Sequence, residues 1–304
     1  MSAEPSPDYE PLTPHVRIER LRAVVNPMSG GVNAKATAEL QALLGRYDLQ
    51  AEVVEAKPAE IAEALKAAVD ARPDVLAVLA GDGTIRAAGE LCGPDGPLLA
   101  ALPGGTMNML PQALYGTTDW RKALGEALTG GVVRNVCGGV VDGHPFYCAA
   151  IVGHPALWAE AREALRERRL SAAMRHANVA LRRAFSGRMR FYLDDGPTEN
   201  AEAVAFLTPL ISKALDEADA LEAASLDPKG AVDAFRMAIN AVVRDWRDDP
   251  AVDARPARHA VLSGRRPLPA ILDGELTHLG RRAEVRFTPK AFRALAPRLE
   301  SVKT

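Results

Sequence analysis

The chain has 304 residues, 48% of them hydrophobic and 25% charged, with a formal net charge of −2. That is enough apolar material for a full core and more length than one core usually carries, so two domains are expected. A charge so close to balance gives no global field for nucleic acid, no apolar run reaches membrane-span length, and three cysteines without ligand spacing argue against a zinc site or disulfide framework.

The opening MSAEPSPDYEPLTP is acidic and proline-rich and lacks the basic-then-apolar pattern of a leader. It predicts a disordered tail over 1–16 and a cytosolic, reducing setting. A strand over 16–25 then runs into Asn26-Pro27-Met28-Ser29-Gly30-Gly31. A helical stretch over 34–44, a short strand over 51–55 and a second helical period over 59–69 follow. Pro73 precedes the apolar run 75–79, a buried strand that ends in Gly81-Asp82-Gly83-Thr84, with a helix expected over 85–91. Another apolar strand, 98–102, ends in Pro103-Gly104-Gly105-Thr106-Met107-Asn108. Strands alternating with helices argue for βαβ units around a parallel sheet, whose ligands collect at the carboxyl ends of the strands. Three glycine loops at three strand ends therefore point to one anion-binding place.

The chemistry of that place follows from the residue types. Two glycines flanking an acid let the backbone turn sharply and let a phosphate chain approach its N–H groups. An acid beside phosphate calls for a cation between them, so Asp82 predicts a nucleotide with its magnesium; the alternative is a tight loop with an Asp helix cap. The first loop offers Asn26, Ser29 and the backbone of Gly30, and the third offers Gly105, Thr106 and Asn108, each of which could equally serve a turn or cap.

After Gly130-Gly131 the pattern changes to short strands at 132–133, 139–141 and 146–152, with a turn at Asp142-Gly143. Strands at 188–193 and 203–207 read as a hairpin around Asp194-Asp195-Gly196-Pro197. Between them, 155–186 has helical periodicity and carries Arg162, Arg166, Arg168, Arg169, Arg175, Arg182 and Arg183. It reads either as a basic amphipathic insertion that leans on an anionic membrane surface or as a solvated helix face.

Asn-Pro-x-Ser-Gly after the first strand, Gly-Asp-Gly-Thr after a later one and Leu-Pro-x-Gly-Thr-x-Asn after the next resemble the nucleotide-binding half of the diacylglycerol kinase and sphingosine kinase superfamily of lipid kinases. Leu272-Asp273-Gly274-Glu275, followed by Val285-Arg286-Phe287-Thr288-Pro289, resembles the family's C-terminal Asp-Gly-Glu motif and closing strand. The resemblance implies an α/β, phosphofructokinase-like nucleotide domain with a parallel sheet over 17–131, to which 283–304 returns, and a lipid-binding β-sandwich over 132–282. It implies ATP and Mg2+ and a lipid alcohol such as diacylglycerol or a sphingoid base as acceptor; on the membrane reading of 155–186 a cytoplasmic protein would sit peripherally on the inner membrane face.

By the same resemblance the phosphates lie against Gly30, Gly81 and Gly83, with Thr84 and Thr106 donating hydrogen bonds and Asp82 holding the metal. An acid of Asp273-Gly274-Glu275 takes the hydroxyl proton, with Glu275 favoured and Asp273 its partner. Both would share a strand face if the motif is extended, whereas an Asp-Gly pair also makes hairpin turns. Asp219, in the acidic segment 215–222, stands where the family binds a structural magnesium, although that segment also reads as a helix.

Several positions depart from the family pattern. Arg86-Ala87 replaces an Asn-Glu pair, and a guanidinium at Arg86 suits phosphate. Ala80, Met109 and Ala220 stand where glycine, an acid and glycine are usual. Two other readings stay open: an NAD kinase, which also uses a Gly-Asp-Gly-Thr turn, and a catalytically weak nucleotide- or lipid-binding pseudokinase. The sequence does not fix the oligomeric state.

Overall fold

The computed structural model describes residues 16–153, 188–212, 219–226 and 252–298. The expected tail, the arginine-rich stretch and most of the acidic segment before Asp219 lie outside the described residues. The chain divides into two units, Met1–Asn135 with Phe292–Thr304, and Val136–Ala291. The returning segment therefore starts at Phe292, nine residues later than 283.

The first unit is α/β. Its elements in order are β1 (Arg20–Val25), α1 (Ala36–Leu44), β2 (Gln50–Glu55), α2 (Ile61–Asp70), β3 (Val75–Ala80), α3 (Asp82–Cys92), β4 (Leu98–Pro103), α4 (Met109–Tyr115) and α5 (Trp120–Gly130). The strands run parallel in the order β2-β1-β3-β4. Every residue of β3 and β4 is buried, as their unbroken apolar runs require of strands covered on both faces. Beyond β4 the end of the last described strand adds in parallel, pairing Ala294 with Leu99. Tyr115, buried at the end of α4, donates its phenol hydrogen to the Leu295 carbonyl at 2.8 Å and fastens that returning segment.

β1 begins four residues later than 16 because the chain enters on a side-chain clamp. The N–H groups of Glu19 and Arg20 donate to Asp74 Oδ2 at 2.9 and 2.8 Å. α3 begins three residues earlier than 85, so the Gly-Asp-Gly-Thr motif is the helix's first turn and not a loop before it. α4 and α5 occupy a stretch to which the sequence pattern assigned no element.

The second unit is a β-sandwich. β5 (Gly131–Val141) leads into it and is one continuous strand where two short ones were expected. β6 (His144–Phe146), β7 (Ala149–Gly153), β8 (Met189–Leu193), β9 (Glu199–Ala201), β10 (Ala203–Leu207), β11 (Leu221–Leu226), β12 (Val252–Ala257), β13 (His259–Ser263), β14 (Pro269–Leu272), β15 (Glu275–His278) and β16 (Arg282–Pro297) follow. One antiparallel sheet runs β12-β11-β10-β7-β14-β15; in the other, β9, β8, β13 and the first part of β16 are neighbours. Their inner faces share a core that includes Phe146, Phe191, Phe206, Val204, Leu262 and Leu272.

The expected hairpin between 188–193 and 203–207 does not form. β8 pairs with β9, whereas β10 lies between β7 and β11 in the other sheet. The chain changes sheets at Glu202, whose N–H bonds the Leu226 carbonyl of β11. The helical alternative for the acidic segment ends at Leu221, where β11 starts.

Candidate functional site

In the first unit the chain leaves β1 toward β2 on one side, while β3 leads to β4 on the other. β1 and β3 are therefore the neighbours at which strand order reverses, the place where open parallel sheets take ligands. The loops after β1, β3 and β4 meet there through backbone bonds. Asn26 N–H donates to the Leu79 carbonyl at 3.0 Å, Gly104 N–H to the Ala80 carbonyl at 3.1 Å, and Gly31 N–H to the Gly104 carbonyl at 2.9 Å.

These contacts leave no room for a side chain at Gly105 and little at Gly31 and Gly30. A Cβ on Gly105 would stand 2.8 Å from the Gly81 Cα, and one on Gly31 would stand 3.0 Å from the Gly105 carbonyl oxygen. One on Gly30 would meet Thr106 Oγ1 at 3.3 Å. The three loops read separately in the sequence thus form one cluster, closed by glycines where backbone approaches backbone.

The polar side chains of the loops largely hold the cluster itself. Buried Asn26 accepts the Met28 N–H at Oδ1 (3.0 Å), an Asx turn that starts the first loop. Ser29 Oγ accepts the Gly81 N–H at 3.2 Å, so the Gly81 amide expected to face phosphate already has a partner. Asn108, buried and left-handed at φ 51°, accepts the Gly105 N–H at Oδ1 (2.7 Å) and donates Nδ2 to the Gly105 carbonyl (3.0 Å).

Gly81 caps α3, and the Thr84 and Ile85 N–H groups bond back to its carbonyl at 3.0 and 3.1 Å. Gly83 is in the first turn, where N–H groups lack intrahelical partners and the helix dipole favours anions. Arg86 follows one turn along, half-buried. Asp82 Oδ2 accepts the Asn108 N–H and Oδ1 the Met109 N–H, both at 2.8 Å.

In the second unit the Asp-Gly-Glu motif is a two-residue hairpin turn between β14 and β15, with Leu272 paired to Glu275. Asp273 and Gly274 have φ of 48° and 89°, the double positive φ for which Asp-Gly is suited. The extended arrangement, with both acids on one strand face, is thus corrected. Asp273 is buried and accepts three backbone N–H groups: Tyr147 at Oδ2 (2.7 Å), and Cys148 and Ala149 at Oδ1 (2.8 and 2.9 Å). Glu275, at the start of β15, is exposed. Asp219 is also exposed, with Oδ2 3.4 Å from Arg258 Nη2. Among the described residues no three His, Cys, Asp or Glu side chains stand together as metal ligands.

A groove of about 990 Å³ lies elsewhere in the first unit, at the amino ends of β3 and β4, lined by Arg17, Arg72, Asp74, Asp95 and Arg293 among others. Its acids and bases balance, and none of the motif residues reaches it. Among the described residues no helix is long and apolar enough to cross a membrane.

The family model described as "Diacylglycerol kinase catalytic domain" matches residues 20–140. Over those residues the chain is similar to the diacylglycerol kinase catalytic domain. The match covers the three converging loops and stops before the Asp-Gly-Glu turn. The crystal structure of a diacylglycerol kinase from Bacillus anthracis str. Sterne superposes with a TM-score of 0.68 at 14% identity, covering 93% of this chain and 99% of that one. A second structure from that organism gives 0.70 at 16% identity, with the same coverage. An NAD kinase from Archaeoglobus fulgidus, solved with ATP, gives 0.51 at 10% identity, covering 91% and 94%. At such identities the likeness is one of fold, and it covers both units. No curated protein sequence matches the chain.

Sequence reasoning missed the partners of the motif acids. The amides bound by Asp82 and Asp273 lie 26 to 126 residues away and carry no side-chain signature. The usable signals were local: a helix cap for Asp82 and an Asp-Gly turn for Asp273.

Proposed function

We propose that the protein is an ATP-dependent lipid kinase that transfers the γ-phosphate of ATP to a hydroxyl of a lipid such as diacylglycerol or a sphingoid base. The observation that carries the reading is the closure of three glycine loops around the first turn of α3, in a domain similar to the diacylglycerol kinase catalytic domain. The cradle fits a triphosphate: first-turn amides at Gly83, glycine backbone where a Cβ would intrude, and hydroxyls at Thr84 and Thr106. Arg86 adds a cation one turn along. Ser29, Asn26 and Asn108 hold the loops in shape.

Phosphoryl transfer needs positioning, charge neutralisation and a place for one proton. The lipid oxygen bonds to the γ-phosphorus as the bond to the β,γ-bridging oxygen breaks, and ADP leaves with that electron pair. Glu275 is our candidate to take the hydroxyl proton. Asp273 is committed to three amides and serves as the anchor of the turn that carries Glu275.

A direct magnesium ligand does not fit the described acids as they stand. Both Asp82 oxygens accept backbone N–H groups, and Asp219 is exposed beside Arg258. An ion of this type takes most of its ligands from phosphate and water.

The test is transfer of labelled γ-phosphate into a total lipid extract, with NAD offered in parallel. Label in an organic-soluble product, lost in Glu275→Gln while ATP still binds, is the expected result. Label in NADP would identify an NAD kinase, and ATP binding without transfer to either would identify a non-catalytic relative.

A further inference from the structure

An acid in the second position of a phosphate loop poses an electrostatic problem, and a metal ion is the usual way to resolve it. The bonds of Asp82 resolve it differently. Its carboxylate reaches across 26 residues to the first two amides at the head of α4, one oxygen to each, both at 2.8 Å. Lengths of this kind are those of charge-assisted bonds to backbone N–H.

Those amides need an outside acceptor. A helix leaves its first N–H groups without partners, and the residue before the helix normally supplies a side-chain oxygen from an extended conformation. Asn108 cannot do so. It is left-handed at φ 51°, and its carboxamide is closed on both the N–H and the C=O of Gly105. Asp82 supplies the missing cap from another loop. It sits in the first turn of α3 and serves the first turn of α4, so its charge is met by the positive ends of two helices.

A local cap would stabilise one helix. A cap reaching from the second loop to the third fixes Gly105 and Thr106 against the head of α3, and this is the spacing on which a phosphate cradle depends. Resting on the nucleotide-binding reading above, we propose that Asp82 is a positioning residue: it latches the third glycine loop onto α3 through the Asn108 and Met109 amides and does not ligate magnesium directly.

The experiment measures ATP affinity of the full-length protein by calorimetry, once with excess Mg2+ and once with EDTA. For Asp82→Ala both affinities should fall by the same factor, on the order of tenfold or more, because a misplaced loop harms either form of ATP. Asp82→Asn, which keeps one acceptor oxygen, should recover part of both. Asn108→Gly loosens the same loop without touching the acid, so it should show the same equal loss, and combining it with Asp82→Ala should be less than additive. Loss confined to the Mg2+ form, with metal-free ATP bound as well or better by Asp82→Ala, would overturn the proposal.

Amide exchange supplies a readout that needs neither nucleotide nor turnover. Faster exchange at Asn108 and Met109 in Asp82→Asn supports the latch, and unchanged exchange there contradicts it. In the wild type, MgATP should leave those two amides protected; their release on adding MgATP would mean that the carboxylate leaves them for the ion. A wild type that binds no ATP would sink the kinase reading, and exchange at the two amides would still decide the role of Asp82.

Discussion

Asp273 is the acid whose removal should cost most in stability. It is buried and holds three amides of the 147–149 segment, so Asp273→Ala orphans three donors at once. Each buried N–H left unsatisfied costs about 1–3 kcal/mol, and denaturant unfolding should register a loss of at least that size. Glu275→Gln, two residues on and exposed, should leave stability within about 0.5 kcal/mol while removing transfer. Equal destabilisation by both variants would contradict the division of roles between anchor and base.

Asp74 gives a pH dependence. The Arg20 N–H bond holds its carboxyl below the usual range, against an opposing desolvation, with the Glu19 N–H and the Arg20 charge adding to the lowering. A folded pKa below the unfolded one contributes stability that is present above the unfolded value and is lost as pH falls through the folded one. Acid unfolding should therefore gain a component below about pH 4, and Asp74→Asn should flatten it. An unchanged acid limb in that variant would show that the clamp on the entry to β1 carries no such linkage. At this scale the sequence singled out Asp82 and Asp273 and could not show what they hold, because their partners are backbone amides far along the chain.

Among the elements, the loops after β1, β3 and β4 carry the proposed site, and their closeness is a steric claim. Gly105→Ala should drive the third loop off the Gly81 Cα, which its new Cβ would approach to 2.8 Å. ATP affinity should drop on the order of tenfold or more with the fold retained by circular dichroism; unaltered affinity would mean that the close approach does not matter to binding. Much of this level was legible. Apolar runs bounded by glycine located β1, β3 and β4 to within a few residues, since fully buried parallel strands have continuous apolar sequence. The motif's entry into α3 was harder to read, because its two glycines argue for loop. α4 and α5 escaped because Pro111 and Gly125 interrupt short periods. The β8 and β10 pairing failed because neighbouring apolar runs look like a hairpin whether or not the chain changes sheets between them.

At the level of the whole molecule, the order α/β unit, sandwich, then return to the first sheet followed from motif order and not from periodicity. Motif order does not encode an acceptor, since one fold hosts many substrates and selectivity depends on the shape of the pocket that receives them. The seven arginines of 155–186 read either as a lipid-facing surface or as a solvated helix face, and vesicle binding separates the two. Binding to vesicles containing acidic lipid should exceed binding to neutral vesicles and should weaken with salt; equal, salt-insensitive binding to both would remove the membrane contact.

The central claim is that the three glycine loops form a triphosphate cradle, and it is tested most directly by backbone amide shifts on titration with a non-hydrolysable ATP analogue. The account predicts the largest changes at Gly30, Gly31, Gly83, Thr84, Gly105 and Thr106. Changes centred instead on Arg17, Arg72 and Arg293, around the groove at the amino ends of β3 and β4, would contradict it.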